Sequence, residues 1–199
     1  MRSRVIEDLG TRDPVWFFGC GHGNENTFTG QNYNRIFWTC DCKELAGRVV
    51  YLLSCLTGRV LGPDIVANKK ATCYIGYTEV FGWIQDVIQY PLVDKYAKGF
   101  FEPILEVIYR LADGRTTRES YLASIDKWNY WVDYWTRSTD PNAPFVLQWL
   151  INDRNSQRLI GSGTAKVTAI PVWILASPLV ALGGFTVAWF LPKPEEASK

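Results

Sequence analysis

Two apolar runs, each ending in a reactive side chain, constrain this chain more than any other feature. The first is Val15-Trp16-Phe17-Phe18-Gly19-Cys20-Gly21-His22-Gly23, and the second is Val49-Val50-Tyr51-Leu52-Leu53-Ser54-Cys55. Short apolar runs bounded by glycine or a polar turn read as buried strands. Laid side by side and parallel, they bring His22 and Cys55 out at one edge of the sheet, where open α/β sheets bind their ligands. His22 is the single histidine of the chain, so any Cys–His chemistry uses it.

Around these runs the sequence resembles a known family. The resembling stretch runs from about Val15 to Trp83. It includes GHGNENTFTG after the first run and VVYLLSCLTGRVLGPDIVANKKATCYIGYTEVFGW around the second. It is similar to the caspase-like cysteine peptidases, nearer to gingipain-type and CHAT-type members than to animal caspases. Ala71 to Tyr77 reads as the next strand of the same sheet. The resemblance implies an α/β fold with a mostly parallel sheet and flanking helices. It makes Cys55 the nucleophile and His22 the acid/base, since a thiol gains nucleophilicity beside an imidazole. The backbone N–H groups of Gly23 and Cys55 would hold the oxyanion, and a glycine there lets substrate approach closely. Glu79, Phe81 and Trp83 would stand near the substrate pocket. The chemistry of that family needs no metal and no cofactor.

The caspase-like fold has two further strands and their helices before the His-bearing strand. About 14 residues precede Val15, fewer than the roughly 30 of a βαβ unit. The expectation is therefore a partial caspase-like core over residues 1–84: a piece of a longer protein, a reduced fold, or a half sheet completed by a protein partner. An open apolar edge would favour such pairing.

The carboxy-terminal end carries the second strong feature. No charge occurs from Val167 to Pro192. The span Val167–Leu191 is about 25 residues, where a bilayer core needs roughly 20. Trp173 and Trp189 lie near its ends, Lys166 and Lys193 bracket it, and Pro171 and Pro178 are tolerated in membrane helices. This predicts one transmembrane helix over 167–191, a tail over 192–199, and membrane lipid as a partner. Arg154, Arg158 and Lys166 ahead of the span orient the globular part to the cytosol. The competing reading is a buried helix of a soluble domain.

Composition fits this picture. The net charge of +1 supplies no basic footprint for nucleic acid. Five cysteines, an odd number without framework spacing, favour reduced thiols. Nine tryptophans and an aromatic content of 15% suit a packed core or a large contact surface.

Residues 85–160 read as helical. Pro103 sits at a first helical position, with Ile104, Leu105, Val107, Ile108 and Leu111 as an apolar face and Gly114 as the stop. Thr116-x-x-Glu119 forms a capping box opening a helix with Tyr121, Leu122, Ile125, Trp128, Val132 and Trp135 on one side. A third helix is expected from about Phe145 to Leu159, and residues 161–166 as a linker.

Other chemistries are weaker. Cys20-x-His22 with Cys40-x-Cys42 offers four zinc ligands, but common structural sites use wider hooks. Gly19–Gly23 lacks the G-x-G-x-x-G pattern and a phosphate-binding lysine. Asp13, Asp41 and Asp64 have no paired-carboxylate spacing. The leading reading is a membrane-anchored cysteine endopeptidase using Cys55 and His22 on a peptide substrate. The alternative is an inactive caspase-like scaffold or accessory subunit of a membrane complex.

Overall fold

The computed structural model describes residues 2–86 and 90–167, and the backbone of residues 188–190. Helix α1 (Arg2–Arg12) leads into strand β1 (Trp16–Cys20), then β2 (His22–Asn24), β3 (Thr27–Thr29), β4 (Arg35–Trp38) and β5 (Val49–Leu53). Helix α2 (Leu61–Ala67) and strand β6 (Cys73–Tyr77) follow. Three long helices come next: α3 (Lys98–Ala112), α4 (Thr117–Thr136) and α5 (Ala143–Ser156). The order closes with β7 (Gln157–Gly161) and β8 (Ala188–Phe190).

The two apolar runs are parallel neighbours. A five-stranded sheet has the order β7-β6-β5-β1-β8, with β1, β5 and β6 parallel and the two edge strands antiparallel. A small antiparallel sheet, β2-β3-β4, branches from the end of β1. The strand expected over 71–77 is β6, in the position expected for it beside β5.

Strand periodicity divides the core in two. Trp16, Phe18, Val49, Tyr51, Leu53, Cys73, Ile75 and Tyr77 face one layer, together with the inner faces of α3, α4 and α5. Phe17, Val50, Leu52 and Tyr74 face the other, which holds Val5 and Leu9 of α1, Leu61 and Ile65 of α2, and Phe28, Ile36 and Phe37 of the small sheet. Each such aromatic or branched side chain, fully buried, contributes about 1.5–3 kcal/mol of transfer free energy.

Several expectations for residues 85–160 are corrected. α3 begins ahead of Pro103, because the buried Asp94 carboxylate accepts the N–H groups of Tyr96 and Ala97 (both 2.9 Å) and starts the turn upstream. The capping box of α4 is present: Glu119 N–H donates to Thr116 Oγ1 (3.2 Å) and Thr116 N–H to Glu119 Oε2 (2.8 Å). Of its expected face, Trp128 and Trp135 are buried and Ile125 and Val132 pack against the core, but Leu122 is exposed, and Thr117, Ser120, Ser124 and Trp131 are buried as well. Small hydroxyl residues let α4 approach α3, and Ser124 Oγ bonds the Pro103 carbonyl at 2.8 Å. α5 stops at Ser156, and Gln157–Gly161, expected as helix end and linker, is an edge strand on β6. Residues 157–161 therefore belong to the sheet rather than to a separate helical segment.

Of the expected transmembrane helix and tail, residues 168–187 and 191–199 lie outside the described residues. Ala188–Phe190 are extended and pair with Gly19, Phe18 and Phe17 of β1. Among the described residues no helix is long and apolar enough to cross a membrane.

Candidate functional site

The strand register builds the site. Cys20 pairs with Leu53, so His22 and Cys55 each stand two residues beyond a paired position on adjacent parallel strands. The pairing continues past the strand ends, with the Gly21 N–H donating to the Leu53 carbonyl (3.1 Å). A bulkier residue at position 21 is excluded, since a Cβ there would lie 2.2 Å from the Thr29 carbonyl oxygen.

The turn that carries Cys55 is held from below and from the side. Ser54 Oγ and Thr57 Oγ1 are 2.8 Å apart, and the buried Tyr74 hydroxyl donates to Thr57 Oγ1 (2.8 Å). Leu56 N–H donates to the Glu79 carbonyl (3.1 Å) and Gly58 N–H to the Tyr77 carbonyl (2.8 Å), tying this turn to the segment after β6. Leu56 itself has φ 62°, a left-handed conformation costly for a branched-chain residue. Nearby, Arg59 clamps two segments: it bonds Glu25 (2.9 Å) on one side, and Glu79 (2.6 Å) and the Thr78 carbonyl (2.5 Å) on the other.

Above these turns lies an open cleft of about 410 Å³, lined among others by His22, Tyr33, Cys55, Phe81, Trp83 and Phe101. Cys55 is half-buried, and its thiol points to the Phe81 carbonyl at 3.8 Å. His22 is exposed at the start of β2 and stacks on Tyr33, with centroids 4.7 Å apart and planes at 19°. A run of aromatic contacts forms another part of the lining: Phe81 to Trp83 (6.2 Å) and Trp83 to Phe101 (5.6 Å). The segment that carries Phe81 and Trp83 is fastened to α5. Asn152 Nδ2 donates to the Val80 carbonyl (2.8 Å), and Gly82 N–H reaches Asp153 Oδ1 (3.4 Å). Gly82 also lies flat on Trp149, where a Cβ would stand 2.5 Å from the indole ring.

Four of the six expected site residues line one cleft, and Gly23 and Glu79 are not among its lining. His22, Cys55, Phe81 and Trp83 line the same cleft. Gly23 presses against the Cys55 turn. Glu79 is not among the lining residues and is engaged by Arg59. Sequence reasoning missed Tyr33 and Phe101. The signal for Tyr33 was the Gly30-Gln-Asn-Tyr-Asn34 stretch, since Asn and Gly mark left-handed turns: Asn32 has φ 56° and Tyr33 φ 55°. Phe101 carries no local signal, because α3 comes from a distant part of the chain.

The remaining thiols are separated in role. Cys20 also lines the cleft, but burial pushes its pKa up to about 11. Cys42 is buried with its Sγ 3.9 Å from Asp64 Oδ2, and burial with that carboxylate pushes it up to about 12. Cys40 is exposed in a turn. Cys20, His22, Cys40 and Cys42 form no zinc centre: among the described residues no three His, Cys, Asp or Glu side chains converge on a metal position.

No family model, no curated protein and no solved structure matches this chain.

Proposed function

We propose that this chain is a cysteine peptidase of the caspase-like type, acting through Cys55 and His22. One observation carries the reading: the single histidine and a half-buried thiol line one open cleft at the carboxyl ends of adjacent parallel strands. In this mechanism His22 takes the Cys55 proton, and the thiolate attacks the peptide carbonyl carbon. The resulting oxyanion is held by backbone N–H groups of Gly23 and Cys55. The C–N bond breaks as His22 returns its proton to the leaving amine. Water, deprotonated by His22, then attacks the thioester, and Cys55 leaves as the thiol.

An inactive scaffold with the same sheet would have little use for an open cleft at this position, which favours the enzymatic reading. The deciding experiment is labelling of the full chain with a thiol-reactive peptidyl electrophile, comparing wild type, Cys55→Ala and His22→Ala. Labelling at Cys55 that collapses in His22→Ala supports the peptidase. Labelling of Cys55 no faster than that of Cys40, and indifferent to His22, favours the scaffold.

The uncharged segment from Val167 to Pro192 supports membrane association of the same protein. A segment paired with β1 does not at the same time lie across a bilayer, so anchoring through it requires Ala188–Phe190 to leave the sheet edge. Alkaline carbonate extraction of membranes from cells expressing the full chain tests this. Retention in the pellet supports an anchor, and release into the supernatant argues for the sheet edge.

A further inference from the structure

We propose that the cleft beside Cys55 selects an uncharged, apolar side chain, best an aromatic one, on the residue whose carbonyl Cys55 attacks. This rests on the peptidase reading above and adds the substrate class to it.

The lining carries the argument. Among the described residues no Asp, Glu, Lys or Arg lines the cleft. Of the acidic residues near the lining in sequence, Glu79 and Glu25 are drawn to Arg59, and Glu102 accepts from Trp131 Nε1 and meets Lys98 and Lys127. The lining instead offers aromatic surface that the protein leaves unfilled. Trp83 is 43% exposed and Tyr33 72% exposed, although both belong to a concave site. Phe81 and Phe101, the buried neighbours of Trp83, fix the position of its face, and Tyr33 stacks on His22. An apolar side chain seated there removes its own surface and theirs from water together. A charged side chain loses hydration and meets no Asp, Glu, Lys or Arg in the lining, so it is disfavoured. The volume of about 410 Å³ lies within the range of sites that enclose small ligands, roughly 300–1,000 Å³, and leaves room for more than one residue of a peptide.

Wall rigidity makes the preference specific. The Trp83 segment is held by Asn152 and Asp153 of α5 and by the flat contact of Gly82 on Trp149. The indole is therefore presented by a fixed backbone rather than by a free loop, and Trp83 Nε1 bonds Gln85 Oε1 (3.3 Å).

The test separates binding from chemistry. The full-length Cys55→Ala chain is titrated by calorimetry with N-acetylated peptide amides that differ only at the selected residue: Phe, Leu, Asp or Arg. The Phe and Leu peptides are expected to bind about 10- to 100-fold more tightly than the Asp and Arg peptides. Trp83→Ala should remove most of that difference, and Trp83→Phe should retain it. Equal affinities, a preference for Asp or Arg, or no measurable binding of any peptide overturns the inference. In parallel, wild type is labelled with electrophiles bearing the same four residues. Tight binding of the Phe peptide without labelling of Cys55 sustains the apolar subsite and removes the peptidase reading. His22-dependent labelling of Cys55 at one rate by all four electrophiles does the reverse.

Discussion

Gly23 lies against the carbonyl of Cys55: a Cβ added to Gly23 would stand 2.6 Å from that oxygen, 2.7 Å from Thr57 Cγ2 and 3.1 Å from Ser54 Cβ. The residue after His22 and the turn bearing Cys55 therefore pack backbone to backbone. This contact, more than any side-chain bond, holds the two candidate catalytic groups over one cleft.

Gly23→Ala should separate them. Neither the Cys55 carbonyl nor the buried Ser54–Thr57 turn yields easily, so the methyl is accommodated by moving β2. Overpacking of this kind costs about 1–3 kcal/mol. The expected outcome is a lowered Tm by differential scanning calorimetry together with slower electrophile labelling at Cys55. A variant with unchanged Tm and unchanged labelling would show that the contact is slack.

Native thiol reactivity should divide the five cysteines. At pH 8, Cys20 (about 11), Cys42 (about 12) and Cys73 (about 12) stay protonated, each raised chiefly by burial. The thiolate is the reactive form. Iodoacetamide followed by peptide mass spectrometry should modify Cys40 and Cys55 and spare the other three until the protein unfolds. Rapid modification of Cys20 would contradict the raised pKa that its partial burial at the end of β1 gives it.

Asp153 should make stability fall as pH rises. Its carboxyl is fully buried, accepts from Asn152 Nδ2 and weakly from the Gly82 N–H, and leaves Oδ2 without a partner. Burial holds its pKa well above 3.8 in the folded chain. Between the unfolded value and that raised value the folded state binds the extra proton, so its stabilising contribution is full below about pH 3.8 and is lost as pH climbs through the folded pKa. Asp153→Asn should flatten this slope. Relative to wild type it should gain about 1–3 kcal/mol at pH 8 compared with pH 4, read from urea midpoints at the two pH values. A parallel pH dependence in both proteins would remove Asp153 as the cause.

The inner face of α4 can be checked by a pair of substitutions. Ser124 is buried against α3, whereas Leu122 is 47% exposed. Ser124→Leu should cost about 1–3 kcal/mol through overpacking. Leu122→Ser should change stability by less than about 0.5 kcal/mol, as surface substitutions generally do. Chemical denaturation of both variants gives the comparison, and a reversed order would place Leu122 rather than Ser124 on the inner face.

The outcome of reading α4 from its sequence shows what hydrophobic periodicity resolves and what it does not. Thr116 and Glu119 marked the start of the helix because a capping box is a local bargain among four residues. Trp128 and Trp135 turn inward as the apolar pattern expects, but Ser120 and Ser124 are buried with them, and Ser124 bonds the Pro103 carbonyl of α3 at 2.8 Å. No pattern of apolar residues reports that distance. In the same way Asp94 moved the start of α3 upstream of Pro103 by a carboxylate that caps from outside the helix. Gln157–Gly161 became a strand because β6 offered an edge to pair with.

By itself, the sequence determined the three parallel strands β1, β5 and β6 and the ends of the first two. The runs ending at His22 and Cys55 are apolar without interruption, and a run of that kind has few places to go but the middle of a covered sheet. Only the tertiary structure decided the rest of the cleft. Tyr33 reaches His22 through two successive left-handed residues, and Phe101 arrives on a helix that packs from far along the chain. It also took Glu79 out of the cleft by pairing it with Arg59. Strand burial is written locally because side chains alternate with a fixed period. The walls of a site depend on long-range packing, where the neighbours of a residue are set by the whole chain.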